Sequence, residues 1–266
     1  MRKNLIYVSV FKEPEYVKLV CLLIKSLAEF GNVNMFTTDI LIYTSQDFVD
    51  LICARLKVID FPAHVKLPIF FKIFEKDHIV EIFQVCCMRL QIFNNDFIHN
   101  YDKILYLDND VLINSDINVL FNHDIDDDKL YGIEDGTIGH FFWGSNFFDF
   151  DSGDFSRDQP GFSSGILLFK NSEAMHKLYE NINNHVWYLI NNEQHNILFY
   201  DQPIINYNAI KEGNYNNTWL MKYAKNSPIE REAEKIIYHF PGTVGETVIK
   251  YERMEMFYEK IKNNET

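Results

Sequence analysis

Clustered positive charge is the first thing this chain lacks. None of its 25 Lys and Arg form a dense run, and 38 Asp and Glu leave a formal charge of −13. A surface of that sign repels phosphate backbones, which excludes nucleic acid as a partner. An anionic ligand would have to be held by a metal ion and a few placed cations. Long hydrophobic runs are missing too: no stretch approaches the ~18 apolar residues that would span a membrane. The apolar part of the opening MRKNLIYVSVFKEPEY is too short for a secretory signal, so a cytoplasmic protein is expected. Glycan sequons at Asn216 and Asn264 carry no weight without export. Cysteine is scarce. Cys21, Cys53, Cys86 and Cys87 have no zinc-like spacing, and an adjacent pair rarely bridges itself, so reduced core thiols are expected. There is no internal repeat, no low-complexity segment and no linker that would split the chain.

What is present suits an ordinary folded α/β protein: 266 residues, 47% of them hydrophobic, are enough for a sizeable core. Leu5–Phe11 reads as a strand, and Pro14 separates it from a helical pattern running from Tyr16 to Phe30, capped by Gly31. Asp39–Thr44 reads as a second strand, Gln46–Ala54 as a short helix and Leu56–Asp60 as a third strand. Together they make a β-α-β-α-β half of the nucleotide-fold type. Residues 66–78 show no clear period and are taken as an irregular connection. From Ile79 to His99 a helical spacing puts Ile82, Cys86, Phe93 and Phe97 on one face, with Arg89 on that face as well. Arg89 therefore points inward, either to pair with a core carboxylate or to meet a bound anion or sugar.

The chain is organised around Tyr101–Phe121, YDKILYLDNDVLINSDINVLF. Ile104 to Leu107 run without polar alternation, as in a central strand covered on both faces. At its end stand Asp108, Asn109 and Asp110, in the crevice where open α/β sheets bind ligands. Extended chain would put both aspartates on one side, where two carboxylates can converge on a hard divalent cation; a solvated acidic turn is the alternative. Farther on, Gly136–Gly161 is too aromatic for a linker and reads as a structured loop. In it Phe141, Phe142, Trp143, Phe147 and Phe148 could stack on a sugar or simply pack together. Phe162–Lys170 is a buried strand, Ser172 to about Ile190 a helix, and Asp201-Gln202-Pro203 opens another helix with its polar pair at the positive end. Ile236–Phe240 is a last strand, and a mixed-charge helix from about Val248 to Lys262 ends the chain.

In this order, over nearly the whole chain, YDKILYLDNDVL, FSSGILLF, DQPIIN and HFPGTVG resemble the family 8 glycosyltransferases. The resemblance implies a GT-A fold: a Rossmann-like, nucleotide-binding mixed sheet flanked by helices, in a single domain over 1–266. Residues 1–110 would form its nucleotide-binding half and 111–266 its acceptor-side half with the C-terminal helix. It implies retaining transfer of a hexose, glucose or galactose, from a UDP-sugar to an acceptor on a glycan, protein or lipid-linked chain. Mn²⁺ is the implied cofactor, with Mg²⁺ as substitute, held by Asp108, Asp110 and His239. By the same resemblance Tyr16 stacks on uracil, and Val10, Asn109, Ser164 and Gly242 line the donor. Arg89, Asp201 and Gln202 lie near the transferred sugar. Oligomeric state is left open, a homodimer included. Two departures stand out. Ser163-Ser164-Gly165 replaces the family's Asn-Ser-Gly or Asn-Ala-Gly. Gly245 occupies the position of a lysine expected on the diphosphate, for which Lys250 or Lys222 would have to substitute. These departures keep a sugar-nucleotide binder without catalysis as an alternative. LYLDNDV also fits the nucleophile strand of haloacid-dehalogenase-like phosphatases, but three expected strands precede it where that motif normally lies on the first.

Overall fold

A computed structural model describes residues 2–11, 13–59, 66–73, 86–192, 200–242 and 247–265. The strands are β1 (Lys3–Val10), β2 (Thr38–Thr44), β3 (Ile69–Ile73), β4 (Tyr101–Leu107), β5 (Val111–Ile113), β6 (Leu130–Thr137), β7 (Pro160–Lys170), β8 (Tyr215–Asn216), β9 (Ala224–Asn226) and β10 (Ile237–His239). The helices are α1 (Tyr16–Phe30), α2 (Gln46–Val58), α3 (Asn118–Asn122), α4 (Ser145–Phe148), α5 (Glu173–Asn191), α6 (Gln202–Lys211) and α7 (Thr247–Asn263). Two units divide the chain. The first is Met1–His78, Leu105–Asp124 and Lys222–Thr266; the second is Ile79–Ile104 and Ile125–Met221. Strand β4 gives Tyr101–Ile104 to the second and Leu105–Leu107 to the first.

In the first unit β1, β2 and β3 run parallel, in the order β3-β2-β1-β4. The unbroken apolar stretches Leu5–Val8 and Ile40–Tyr43 are essentially inaccessible, as strands covered on both faces must be. Helix α1 buries nearly all of Val17–Leu27. Its one buried hydroxyl, Ser26 Oγ, donates to Leu23 O (2.8 Å) and accepts from Ile113 N (3.0 Å), so no polar group is stranded. Gly31 ends the helix by donating its N–H to Leu27 O; a Cβ there would sit 2.7 Å from that oxygen, which is why glycine is needed. A second, small sheet joins β5 antiparallel to β10, and β10 parallel to β9. Helix α7 closes over it, with Met254, Phe257, Tyr258 and Ile261 packed on Leu19, Leu112 and Tyr238.

One expectation is corrected here. Leu56–Val58 continue α2 rather than starting a strand, and the third strand is β3, within the stretch read as irregular. Asp47 in the first turn of α2 and Arg55 and Lys57 in the last complement the helix dipole and carry it through the β-branched end.

The second unit has the order β4-β7-β6-β8, with β6 antiparallel to β7 and parallel to β8, so the pairing is mixed. The α-helix expected over Ile79–His99 is also corrected in part: Cys86 and Cys87 are helical, but Met88–Asn94 and Asp96–Asn100 are 3₁₀ turns. Asn95 separates them in extended conformation and donates its amide to Gln91 O and Ile92 O (3.0 and 3.1 Å), competing with the backbone ladder. Ile79–Val85 of that expected helix lie outside the described residues. Ser172 caps α5 through its hydroxyl, which accepts from Met175 N at 3.2 Å. Among the described residues no helix is long and apolar enough to cross a membrane, and Cys21, Cys53 and Cys87 are free thiols.

Candidate functional site

In the first unit, β4 ends at Leu107 and the chain turns through Asp108, Asn109 and Asp110 before β5. The aspartates are not carried on extended chain, as strand alternation suggested, but the turn still brings them together. Pairing of β5 with β10 sets His239 opposite Val111, and Phe240 N donates to Asp110 O at 2.9 Å. This brings His239 Nε2 to 3.3 Å from Asp110 Oδ1 and 3.6 Å from Asp108 Oδ2. One ligand atom from each of the three lies within 4.8 Å of the others. The far side of the imidazole is fixed by β9, where Asn226 Oδ1 stands 2.8 Å from Nδ1. With Nδ1–H donating there, Nε2 faces the carboxylates, and it is the nitrogen whose lone pair a metal would take once its proton is lost. Tyr106 donates its hydroxyl to Asp108 Oδ1 (2.5 Å), and Ser9 Oγ lies 3.2 Å from that hydroxyl.

The donor set fits a divalent cation. Asp110 is 6% exposed, and its Oδ1 makes no close hydrogen bond but faces His239 Nε2 at 3.3 Å, so once the imidazole loses its proton this buried oxygen needs another positive partner. Two carboxylates and one imidazole suit Mn²⁺ or Mg²⁺ better than a soft metal. The other oxygen, Oδ2, accepts from Lys250 Nζ at 2.5 Å.

Charges in this cluster shift one another. Burial works to lower the His239 pKa, but the Asp110 carboxylate and then Asp108 outweigh it and push it up to about 9. Burial works to raise Asp110, and His239 and Lys250 together hold it below the ordinary carboxylate value. The imidazole is therefore protonated at neutral pH and must lose that proton to bind a metal. Metal affinity is expected to rise about tenfold per pH unit between pH 7 and 9 and then level off. Titration calorimetry in buffers of different ionisation enthalpy should show about one proton released per metal at pH 7; a pH-independent affinity would contradict it. For the metal-free fold the sign is opposite. A raised histidine pKa stabilises below the unfolded value near 6.5, and that contribution is lost as pH rises through about 9.

The second unit holds a separate polar cluster. Arg89 points inward as its position suggested and pairs with a buried carboxylate: Nε donates to Asp201 Oδ2 at 2.5 Å, with the two side chains 5% and 7% exposed. Its other nitrogens donate to Ser164 O (2.9 Å) and Ser164 Oγ (2.8 Å). Gln202 uses both ends of its amide, accepting from Ser164 N (3.1 Å) and donating to Phe142 O (3.1 Å). Asn206, one turn on, closes a two-way bond with the Phe162 backbone at 2.8 Å in each direction. Asp201 opens α6 and follows Tyr200, whose φ of +53° is unusual for a side chain of that size.

Other expected residues are placed as follows. Tyr16 packs half-buried against the cluster of Leu19, Leu112 and Tyr238. Val10 is buried at the end of β1, Asn109 is half-buried in the acidic turn and Gly242 is exposed after β10. Lys222 is exposed, whereas Lys250 is the lysine on Asp110. Gly245 lies outside the described residues. The aromatic loop is packed: Phe141 and Phe142 sit against His140, ring centroids 4.3 and 4.6 Å away. Gly136 and Gly161 flank Trp143 so closely that a Cβ on either would come within 2.5 and 2.7 Å of its ring. Phe147 alone of the five opens onto a cleft of about 460 Å³, which it shares with Phe150, Asp151, His185, Tyr207 and Lys211. Sequence reasoning missed the supports of the site, namely Ser9, Tyr106, Asn226 and Asn206. Single serines, tyrosines and asparagines carry no spacing signal, and only the strand pairing brings them in.

Residues 20–244 match the family described as Glycosyl transferase family 8. The chain belongs to glycosyl transferase family 8. Mouse xyloside xylosyltransferase 1 is similar in structure, at 13% identity and a TM-score of 0.60, over 90% of this chain and 97% of that one. A galactosyltransferase, LgtC, solved with donor and acceptor sugar analogues, aligns at 14% identity and a TM-score of 0.57, over 96% and 95%. The bifunctional glycosyltransferase WbbM aligns at 14% identity and a TM-score of 0.60, over 99% of this chain and 52% of that one. No curated protein matches the chain. At these identities the structures establish the fold, which is GT-A, and the family match sets aside the phosphatase alternative. As a family 8 chain, the protein has the activity class of a glycosyltransferase.

Proposed function

We propose that this chain is a Mn²⁺-dependent, retaining hexosyltransferase that moves glucose or galactose from a UDP-sugar to an acceptor hydroxyl. The observation that carries the reading is the convergence of Asp108, Asp110 and His239 within 4.8 Å. These three would hold the ion, with Mg²⁺ as a substitute. When bound it would neutralise the charge that develops on the departing diphosphate.

The rest of the reading concerns the chain's own groups. Tyr106 and Asn226 fix the orientation of Asp108 and His239 through their hydrogen bonds. Val10, Tyr16, Asn109, Ser164 and Gly242 are assigned to the donor by the resemblance alone. Asp201 and Gln202 are assigned to the sugar. Because Asp201 is tied to Arg89, it is a poor nucleophile, which supports attack by the acceptor on the face UDP leaves rather than a covalent sugar on Asp201. Gln202, bonded at both ends, positions Ser164 and the Phe142 backbone.

UDP release by the purified protein from a panel of UDP-sugars, with and without Mn²⁺, tests the proposal. Release from one hexose donor that stops on chelation supports it and names the donor; release unaffected by chelation contradicts it. A second reading, a sugar-nucleotide binder without turnover, is favoured by Lys250 standing on a metal-ligand candidate while Gly245 replaces the expected lysine. Metal-dependent UDP binding with no release from any donor would select it.

A further inference from the structure

We propose that Lys250 is an internal competitor for the metal, and that it couples binding of the divalent ion to binding of the anionic nucleotide. The inference rests on the reading of Asp108, Asp110 and His239 as the metal ligands.

Lys250 comes from the first turn of α7, where a positive charge opposes the helix dipole, so helix preference does not explain its place. Its ammonium is bonded to Asp110 Oδ2 at 2.5 Å, while Oδ1 of the same carboxylate faces His239. The Lys250 side chain is 13% exposed and that of Asp110 is 9% exposed, so solvent does little to screen the pair. In the metal-free protein the bond serves a clear purpose, since a buried carboxylate needs a counter-charge.

A divalent ion on Oδ1 would put two cationic centres on one carboxylate. With a neutral imidazole coordinating, two carboxylates, one ammonium and one divalent ion leave the cluster with a net positive charge. That excess opposes the metal when it arrives alone. An anionic ligand brought to the ion, such as the diphosphate of UDP, removes the excess and gives the ammonium a second anion to bond. Lys250 thus weakens metal binding to the empty protein and strengthens it once nucleotide is present. By thermodynamic linkage the metal must tighten nucleotide by the same factor.

The test is Mn²⁺ binding followed by the EPR signal of free Mn²⁺, with and without saturating UDP, in wild type, Lys250→Met and Asp110→Asn. Methionine keeps the length of the side chain and removes its charge. Wild type is expected to bind Mn²⁺ at least about tenfold more tightly with UDP than without. Lys250→Met is expected to bind Mn²⁺ alone roughly tenfold more tightly than wild type, with the effect of UDP reduced to less than about threefold. Lys250→Gln repeats the measurement with a polar side chain should the methionine variant fold poorly, and circular dichroism checks both. If either folded variant binds Mn²⁺ alone no better than wild type and keeps the full effect of UDP, the coupling role is overturned and the metal site stands. If Asp110→Asn binds Mn²⁺ as wild type does, the metal-site reading fails and the proposal fails with it.

Discussion

Asp110→Asn is expected to reduce metal-dependent transfer by roughly three orders of magnitude in kcat/KM, with no measurable Mn²⁺ binding in the working range. The shape of the side chain is kept and its charge is not. Asp110 is the most enclosed ligand candidate of the acidic turn, and its Oδ1 faces His239 Nε2 at 3.3 Å. Its backbone oxygen accepts from Phe240 N, a bond that the substitution leaves alone, so β5 and β10 should still pair. The loss is therefore expected in metal affinity and rate rather than in folding. Without the carboxylate, its raising effect on the His239 proton affinity is lost as well, and the imidazole pKa falls from about 9. Asp108→Asn should be milder, because Asp108 is half-buried and already shares one oxygen with Tyr106. A UDP-release assay alongside Mn²⁺ titration measures both variants. Asp110→Asn retaining more than about a tenth of wild-type rate would contradict the assignment.

Arg89→Met is expected to cost about 3–5 kcal/mol of stability. The guanidinium donates to Asp201 Oδ2, Ser164 O and Ser164 Oγ, in directions that one ammonium cannot reproduce. Its removal leaves a carboxylate with 7% side-chain exposure facing no cation from that arginine. Arg89→Lys should fall between wild type and Arg89→Met. The double variant Arg89→Met/Asp201→Asn should recover most of the loss, since it removes the buried charge along with its partner. Urea unfolding of the four proteins checks this. A single-variant cost below about 1 kcal/mol, or a double variant no better than the single, would show that the pair is not a buried ion pair in solution.

Much of this architecture can be read from residue order. The apolar run at Ile104–Leu107 is a buried strand, and the acidic turn at its end sits beside a histidine 129 positions on, as the resemblance implied. Helices α1, α5 and α6 also lie close to where their spacing and capping residues put them. The failures have physical causes. Leu56–Val58 carries β-branched and apolar residues, but charges at both ends of α2 extend the helix past the point where propensity favours a strand. Strand β3 pairs with β2 alone among the described strands and is nowhere fully buried, so it lacks the apolar signature of its neighbours. The segment around Arg89 keeps a helical spacing but not a helix, because Asn95 turns its amide onto the backbone. The inward direction of Arg89 survives this, since a 3₁₀ turn still buries the residue. Least legible are partners far apart in sequence. The Lys250–Asp110 bond spans 140 positions and the His239–Asn226 bond joins two strands of the small sheet, and no local pattern encodes either.

The central claim is that Asp108, Asp110 and His239 hold one divalent ion that serves sugar transfer, and anomalous diffraction tests it most directly. Crystals of the wild-type protein grown with MnCl₂ and UDP would be measured on either side of the manganese absorption edge. One anomalous peak within coordination distance of Asp108, Asp110 and His239 Nε2 is predicted, and it should vanish in Asp110→Asn. A manganese peak elsewhere, or none at these residues in a protein that still releases UDP from its donor, would contradict the account.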